Sequence, residues 1–162
     1  MKQFERLISR LAEYRVDFII VGGFGAYIHG SSLVTQDIDI ACRMEPDNLQ
    51  KLFVAVADLQ PVHRLAGGKP PFTRADADRG DWKNIYLSTA WGQLDCLGEI
   101  TGIGGYQKCL TVSEAIKLGA ATVCIISLDA LIVAKRAVAR PRDLQMVLQL
   151  EALRKKPSGR QE

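Results

Sequence analysis

Val21-Gly22-Gly23 and, after thirteen intervening residues, Asp37-Ile38-Asp39-Ile40 constrain this chain more than any other stretch. Val16 to Val21 is a short β-rich run, read as a buried strand that Gly22-Gly23 ends, with a helix over Phe24 to Ile28. Thr35 to Arg43 alternates polar and apolar residues and reads as a second strand. Residues two apart on a strand share a face, so Asp37 and Asp39 project together while Ile38 and Ile40 point the other way. Paired carboxylates repel unless a cation sits between them, and Mg²⁺ suits hard oxygen ligands. The glycine pair leaves backbone amides free at a helix start and lets a phosphate approach closely. An acid pair alone also describes the polar face of an edge strand, and a glycine pair alone a tight turn. Together, in strand–turn–helix–strand order, they point to a site for phosphates and metal.

A third acid extends the pattern. Asn84 to Thr89 and Gly92 to Leu97 read as a strand pair joined by Ala90-Trp91, which puts Asp95 inside an apolar strand, Leu94-Asp95-Cys96-Leu97. A lone carboxylate there is costly to bury unless it is paired or metal-bound; the alternative is a solvent-facing sheet edge. Lys135 is a further anomaly. On a helix over residues 128–139, Leu128, Leu131, Ile132 and Ala139 form an apolar stripe with Lys135 in its middle, so it must snorkel or meet an anion.

The rest of the chain frames these residues. Phe4, Leu7, Ile8, Leu11 and Tyr14 recur at helical spacing, predicting a helix over 2–15. Pro46 opens a helix running to about Leu59. Residues 60–81, with Pro61, Gly67-Gly68, Pro70-Pro71 and Gly80, read as a long mobile loop. Thr111 with Glu114 predicts a capping box for a short helix ending near Gly119, and residues 122–126 a last strand. Ser127 caps the helix bearing Lys135, and Pro141 starts another running to about Lys156. Arg136, Arg140 and Arg142 read as a solvated basic face, and Asp143 as a capping acid. The order α-β-α-β-α-ββ-β-αα predicts an α/β (α+β) fold, a mixed sheet flanked by helices, in one domain over 1–156 with a disordered tail over 157–162.

Some functions are disfavoured. A net charge of +3 permits an anionic substrate without demanding nucleic acid. No apolar run has membrane-span length, and the N-terminus does not read as a secretion signal, so the expected compartment is the cytoplasm. Cys42, Cys96, Cys109 and Cys124 lack zinc spacing and read as buried, reduced thiols. His29 reads as a satisfied structural histidine, His63 as exposed. Neither has a Ser or Cys partner for nucleophilic catalysis. Trp82 and Trp91 read as packing around the hairpin.

Val21-Gly22-Gly23, Asp37-Ile38-Asp39-Ile40 and Leu94-Asp95-Cys96 resemble the three signatures of the nucleotidyltransferase superfamily of polymerase-β type: a small-residue pair, an alternating acid pair and a later acid among hydrophobics. Gly22 through Gly30 and Thr35 to Asp39 resemble the bacterial branch that holds AbiEii-type toxins and small nucleotidyltransferase-like proteins. Leu131 to Leu150 is similar to that branch's closing helices. The resemblance spans about 130 residues. It implies the nucleotidyltransferase fold with C-terminal helices. It also implies that Gly22 and Gly23 hold the β- and γ-phosphates of an NTP, with Lys135 as a further phosphate contact. Asp37, Asp39 and Asp95 would bind two Mg²⁺ ions, Asp95 also helping to deprotonate a hydroxyl acceptor on RNA, protein or a small molecule. Asp143 is implied as a secondary site residue, and a cognate antitoxin as a partner. Relatives often carry Arg where this chain has Leu33, and a second acid where it has Met146. The departure at Leu33 motivates a rival reading, an inactive nucleotide-binding module; a third is a protein-interaction module using the exposed helical surface.

Overall fold

The central strands follow from their alternation. In the computed structural model, which describes residues 2–156, β1 (Phe18–Val21) and β2 (Asp37–Cys42) pair antiparallel, Ile20 opposite Ile40 and Val21 opposite Asp39. The expected tail over 157–162 lies outside the described residues. β3 (Val62–His63), β4 (Asn84–Thr89) and β5 (Gly92–Leu97) extend the sheet on one side, and β9 (Ala121–Ile126) and β8 (Ser113–Leu118) on the other. The order is β3-β4-β5-β2-β1-β9-β8, with β2–β5 and β1–β9 parallel and the other pairs antiparallel. β6 (Glu99–Ile100) and β7 (Gly104–Gly105) form a separate small pair. The fold is α+β, a mixed sheet with helices against it.

The strand period of two sorts the core into two layers. Ile20, Ile38, Ile40, Leu94 and Cys96 pack with Leu7, Ile8 and Leu11 of α1 (Lys2–Glu13) and Leu49 and Leu52 of α3 (Pro46–Val56). Ile19, Val21 and Ala41 pack on the opposite face with Leu131 and Ile132 of α6 (Leu128–Val138) and Met146, Val147 and Leu150 of α7 (Pro141–Lys155). Asp37 and Asp39 share the face of Ala41, so the acids turn toward α6 and α7. Between β1 and β2 lies α2 (Gly22–Ile28), only seven residues long.

Local chemistry explains the helix ends near the site. The Ser127 hydroxyl accepts from the Ala130 amide at 3.2 Å and starts α6. Ala139, in the left-handed region at φ 57°, ends α6, and Pro141 occupies the first turn of α7.

Three expectations are corrected. The stretch 60–81 is not a structureless mobile loop: it holds β3 and α4 (Arg74–Asp78), whose N-terminus carries a reciprocal Thr73–Asp76 capping box. His63 is not exposed. It stacks on Trp82 at 5.4 Å and hydrogen-bonds Asp76 at 3.1 Å, while the Trp82 indole donates to the Asp76 carbonyl. Finally, Thr111 and Glu114 form no capping box. Thr111 is the last residue of α5 (Tyr106–Thr111), and Ser113 to Leu118 is an edge strand against β9. Ile116 and Leu118 pack on the core at a spacing of two, and Gly119, at φ 63°, makes the tight turn back to Ala121. All four cysteines are free thiols, Cys42, Cys96 and Cys109 buried and Cys124 half-buried. Among the described residues no helix is long and apolar enough to cross a membrane.

Candidate active site

β2 is flanked by β5 and β1, so the acid pair does not sit on an edge strand. The parallel register places Asp39 opposite Asp95, and carboxylate oxygens of Asp37, Asp39 and Asp95 all lie within 4.8 Å of one another. Asp95 is buried, and the other two are half-buried. Burial, then the charges of Asp37 and Asp95, push the Asp39 carboxyl up from an ordinary 3.8 to about 6, against the pull of Lys135 and Arg64. Burial also raises Asp95, opposed by the Arg64 hydrogen bond. Asp39 and Asp95 thus both resist ionisation, burial being the larger cause in each. Three oxygen-only donors converging in this way can hold a hard divalent ion such as Mg²⁺.

The glycine pair is tied to the acids sterically. Gly22 has φ 63°, and a β-carbon there would fall 2.7 Å from Asp39 Cβ and closer still to its Oδ2. A β-carbon on Gly23 would fall 2.8 Å from the Thr35 hydroxyl oxygen. That hydroxyl donates to the Asp37 carbonyl at 3.0 Å and lies 3.3 Å from Asp37 Oδ1, steadying the start of β2. Both glycines therefore make room for the acid strand.

Facing the acids is a cationic wall from α6 and α7. Lys135 Nζ donates to Asp143 Oδ1 at 3.1 Å, so the lysine in the apolar stripe meets an anion. Arg140 Nε donates to Asp143 Oδ2 at 2.6 Å. Asp143 is buried, and although burial raises it, hydrogen bonds from Arg140 and Lys135 hold its carboxyl below the ordinary value. It sits in the first turn of α7 and is an internal counter-ion between two cations, Lys135 and Arg140. Arg142 donates to the Val34 carbonyl at 2.8 Å and ties α7 to the segment before β2. Arg136, Arg140 and Arg142 are all exposed, as a solvated basic face requires; Arg140 and Arg142 also line the site, and Arg136 pairs with Glu151.

These groups enclose a cleft of about 350 Å³ lined by Gly23, Asp37, Asp39, Asp95, Lys135 and Asp143, with Arg140, Arg142 and Met146 also on its walls. Gly22 lines an adjoining cleft of about 370 Å³ that shares Asp39, Asp95, Lys135 and Arg140 and opens toward Tyr86 and Glu99. Of the site candidates singled out from the sequence, Gly23, Asp37, Asp39, Asp95, Lys135 and Asp143 thus border the first cleft and Gly22 the second. A larger cleft, about 460 Å³, lies near Arg43 and Tyr106, away from the acids.

Sequence reasoning missed Arg64. It comes from the stretch read as a loop, just after β3, and its Nη2 lies 2.6 Å from both Oδ1 and Oδ2 of Asp95. No local signal marks it, because it reaches Asp95 only through the pairing of β3 with β4 and of β4 with β5. His29 is satisfied as expected, its Nε2 lying 2.7 Å from the Ile126 carbonyl. No protein-family model matches the chain, and no curated protein matches it.

Proposed function

We propose that the chain is a metal-dependent nucleotidyltransferase of polymerase-β type, moving a nucleoside monophosphate from an NTP to a hydroxyl acceptor. The observation that carries this reading is the meeting of Asp37, Asp39 and Asp95 from neighbouring strands opposite Lys135, Arg140 and Arg142. One wall suits divalent cations and the other suits polyphosphate, with about 350 Å³ between them.

Each residue has a role in this reading. Asp37, Asp39 and Asp95 would hold two Mg²⁺ ions, which would stabilise charge on the attacking and leaving oxygens. Lys135, Arg140 and Arg142 would bind the triphosphate, Gly23 leaving the backbone accessible beside them. The acceptor hydroxyl would attack the α-phosphorus in line. An O–P bond forms, the bond to the β-phosphate oxygen breaks, pyrophosphate leaves, and Asp95 takes the hydroxyl proton. Arg142 brings a guanidinium to Val34, next to Leu33, the position where similar proteins often carry arginine. An RNA or protein acceptor and an antitoxin partner follow from the resemblance alone.

The test is transfer of label from α-³²P NTPs to RNA or protein in the presence of Mg²⁺. Transfer that is lost in Asp37→Ala supports the reading; no transfer with any nucleotide sinks it. One observation favours a second reading, a nucleotide-binding module without turnover: Arg64 already holds Asp95. Calorimetry with NTP and Mg²⁺ separates the two, since the module binds without transferring.

A further inference from the structure

Arg64 holds Asp95 in an unusual way. Arginine commonly meets a carboxylate through two nitrogens, one for each oxygen. Here a single nitrogen, Nη2, is 2.6 Å from both oxygens of Asp95, as a cation sits on a bidentate carboxylate. The same nitrogen is 3.9 Å from Asp37 Oδ2, so it stands between two of the three acids. Arg64 has no ion pair with Asp39 among the described residues.

Two further observations separate this guanidinium from an ordinary structural ion pair. Its Nε is buried and has no hydrogen-bond partner among the described residues, whereas a guanidinium seated for stability satisfies its buried N–H groups. Its backbone, by contrast, is anchored: the Arg64 amide donates to the Tyr86 carbonyl at 3.0 Å. The guanidinium carbon also lies 5.5 Å from the centre of the Tyr86 ring, so an aromatic face is available beside the acids. Side-chain rotation alone can therefore free Asp95.

Charge points the same way. Lys135 is committed to buried Asp143. Three carboxylates opposed by Arg64 leave two negative charges, which one divalent ion neutralises. We propose that Arg64 is a resident counter-ion in the second-cation position. As folded, the chain takes one divalent ion on Asp37 and Asp39, and a second only when Arg64 leaves Asp95. This rests on the metal-binding part of the function proposed above.

The test is a Mn²⁺ titration of the full chain without nucleotide, following free Mn²⁺ by electron paramagnetic resonance. The expected result is one ion per chain for the parent and, for Arg64→Met, a second ion whose affinity rises on the order of tenfold or more. In the double variant Arg64→Met/Asp95→Asn, where Asp37 and Asp39 alone again leave two negative charges, the second ion should be lost, and Asp37→Asn should abolish the first. Arg64→Gln repeats the measurement, alone and with Asp95→Asn, if the Met variant does not fold. Equal stoichiometry and affinity in the parent and Arg64 variants would overturn the proposal. So would persistence of the second ion in the double variant, since Asp95 would then not be the ligand that Arg64 covers. Both of those outcomes leave metal binding intact. Absence of Mn²⁺ binding in parent and variants alike overturns the metal reading and this proposal with it.

Discussion

Asp39 fills the volume that a side chain on Gly22 would need: a β-carbon added there would lie 2.8 Å from Asp39 Cγ. The two halves of the sequence pattern are thereby one steric unit. Gly22→Ala meets two costs, a left-handed backbone at φ 63° and displacement of the carboxylate. The loss of stability should be about 2–4 kcal/mol, read by urea denaturation. In an Asp39→Gly background, which removes Cβ at 2.7 Å together with Cγ and Oδ2, the cost should shrink toward the backbone contribution.

The acid cluster predicts a pH dependence with a definite sign. Asp39, at about 6 in the folded chain against an ordinary 3.8, binds its proton more tightly folded than unfolded. The stability contributed by that proton is complete below the ordinary value and is lost as pH rises through about 6. The amount is on the order of 2–3 kcal/mol without a bound cation. Asp39→Asn should therefore be more stable than the parent near neutral pH in chelator. The gap should close on acidification to a pH near the ordinary carboxylate value, as comparative urea melts would show.

Asp143 should be worth more to stability than either of its partners. Its side chain is 3% exposed and accepts from both Lys135 and Arg140. Asp143→Ala leaves Lys135, 15% exposed, without its anion, and the expected cost is about 2–4 kcal/mol. Lys135→Met removes a charge from an apolar stripe while Arg140 still pairs with Asp143, and the expected cost is about 1 kcal/mol. Chemical denaturation of the two variants and their double mutant checks both the order and the coupling.

The reach of sequence reasoning follows from the range of each signal. Asp37 and Asp39 share a face because of a two-residue period, Gly22 is marked by its own chemistry, and the Ser127 cap lies next to the helix it starts. All of these are local; the shared face and the Ser127 cap stand as read, and Gly22 follows the end of β1 as expected. Asp95 was legible as an anomaly in an apolar strand, and Lys135 as one in an apolar stripe. Arg64 carried no such mark, because an arginine among prolines and glycines looks like any surface residue until β3 and β4 carry it to Asp95. The strand Ser113–Leu118 was obscured by residues that read equally as a capped helix, and pairing with β9 decides between them. Arg140 and Arg142 were visible as basic residues, but their turn into the cleft depends on how α7 packs.

A bound divalent ion should stabilise the folded chain, since the converging carboxylates exist only there. At an ion concentration about ten times the dissociation constant the gain is about 1.4 kcal/mol, a rise of roughly 3–6 °C in melting temperature for a chain of this length. Ions must displace the proton that Asp39 holds up to about pH 6, so the rise should be small below that pH and grow above it. Asp37→Asn removes a ligand and should flatten the response at all pH values. Asp39→Asn should do the same, although it begins from a more stable metal-free state. Differential scanning fluorimetry with Mg²⁺ and Mn²⁺ across this range measures all three proteins. An equal response in the parent and in Asp37→Asn would place the bound ion elsewhere on the chain.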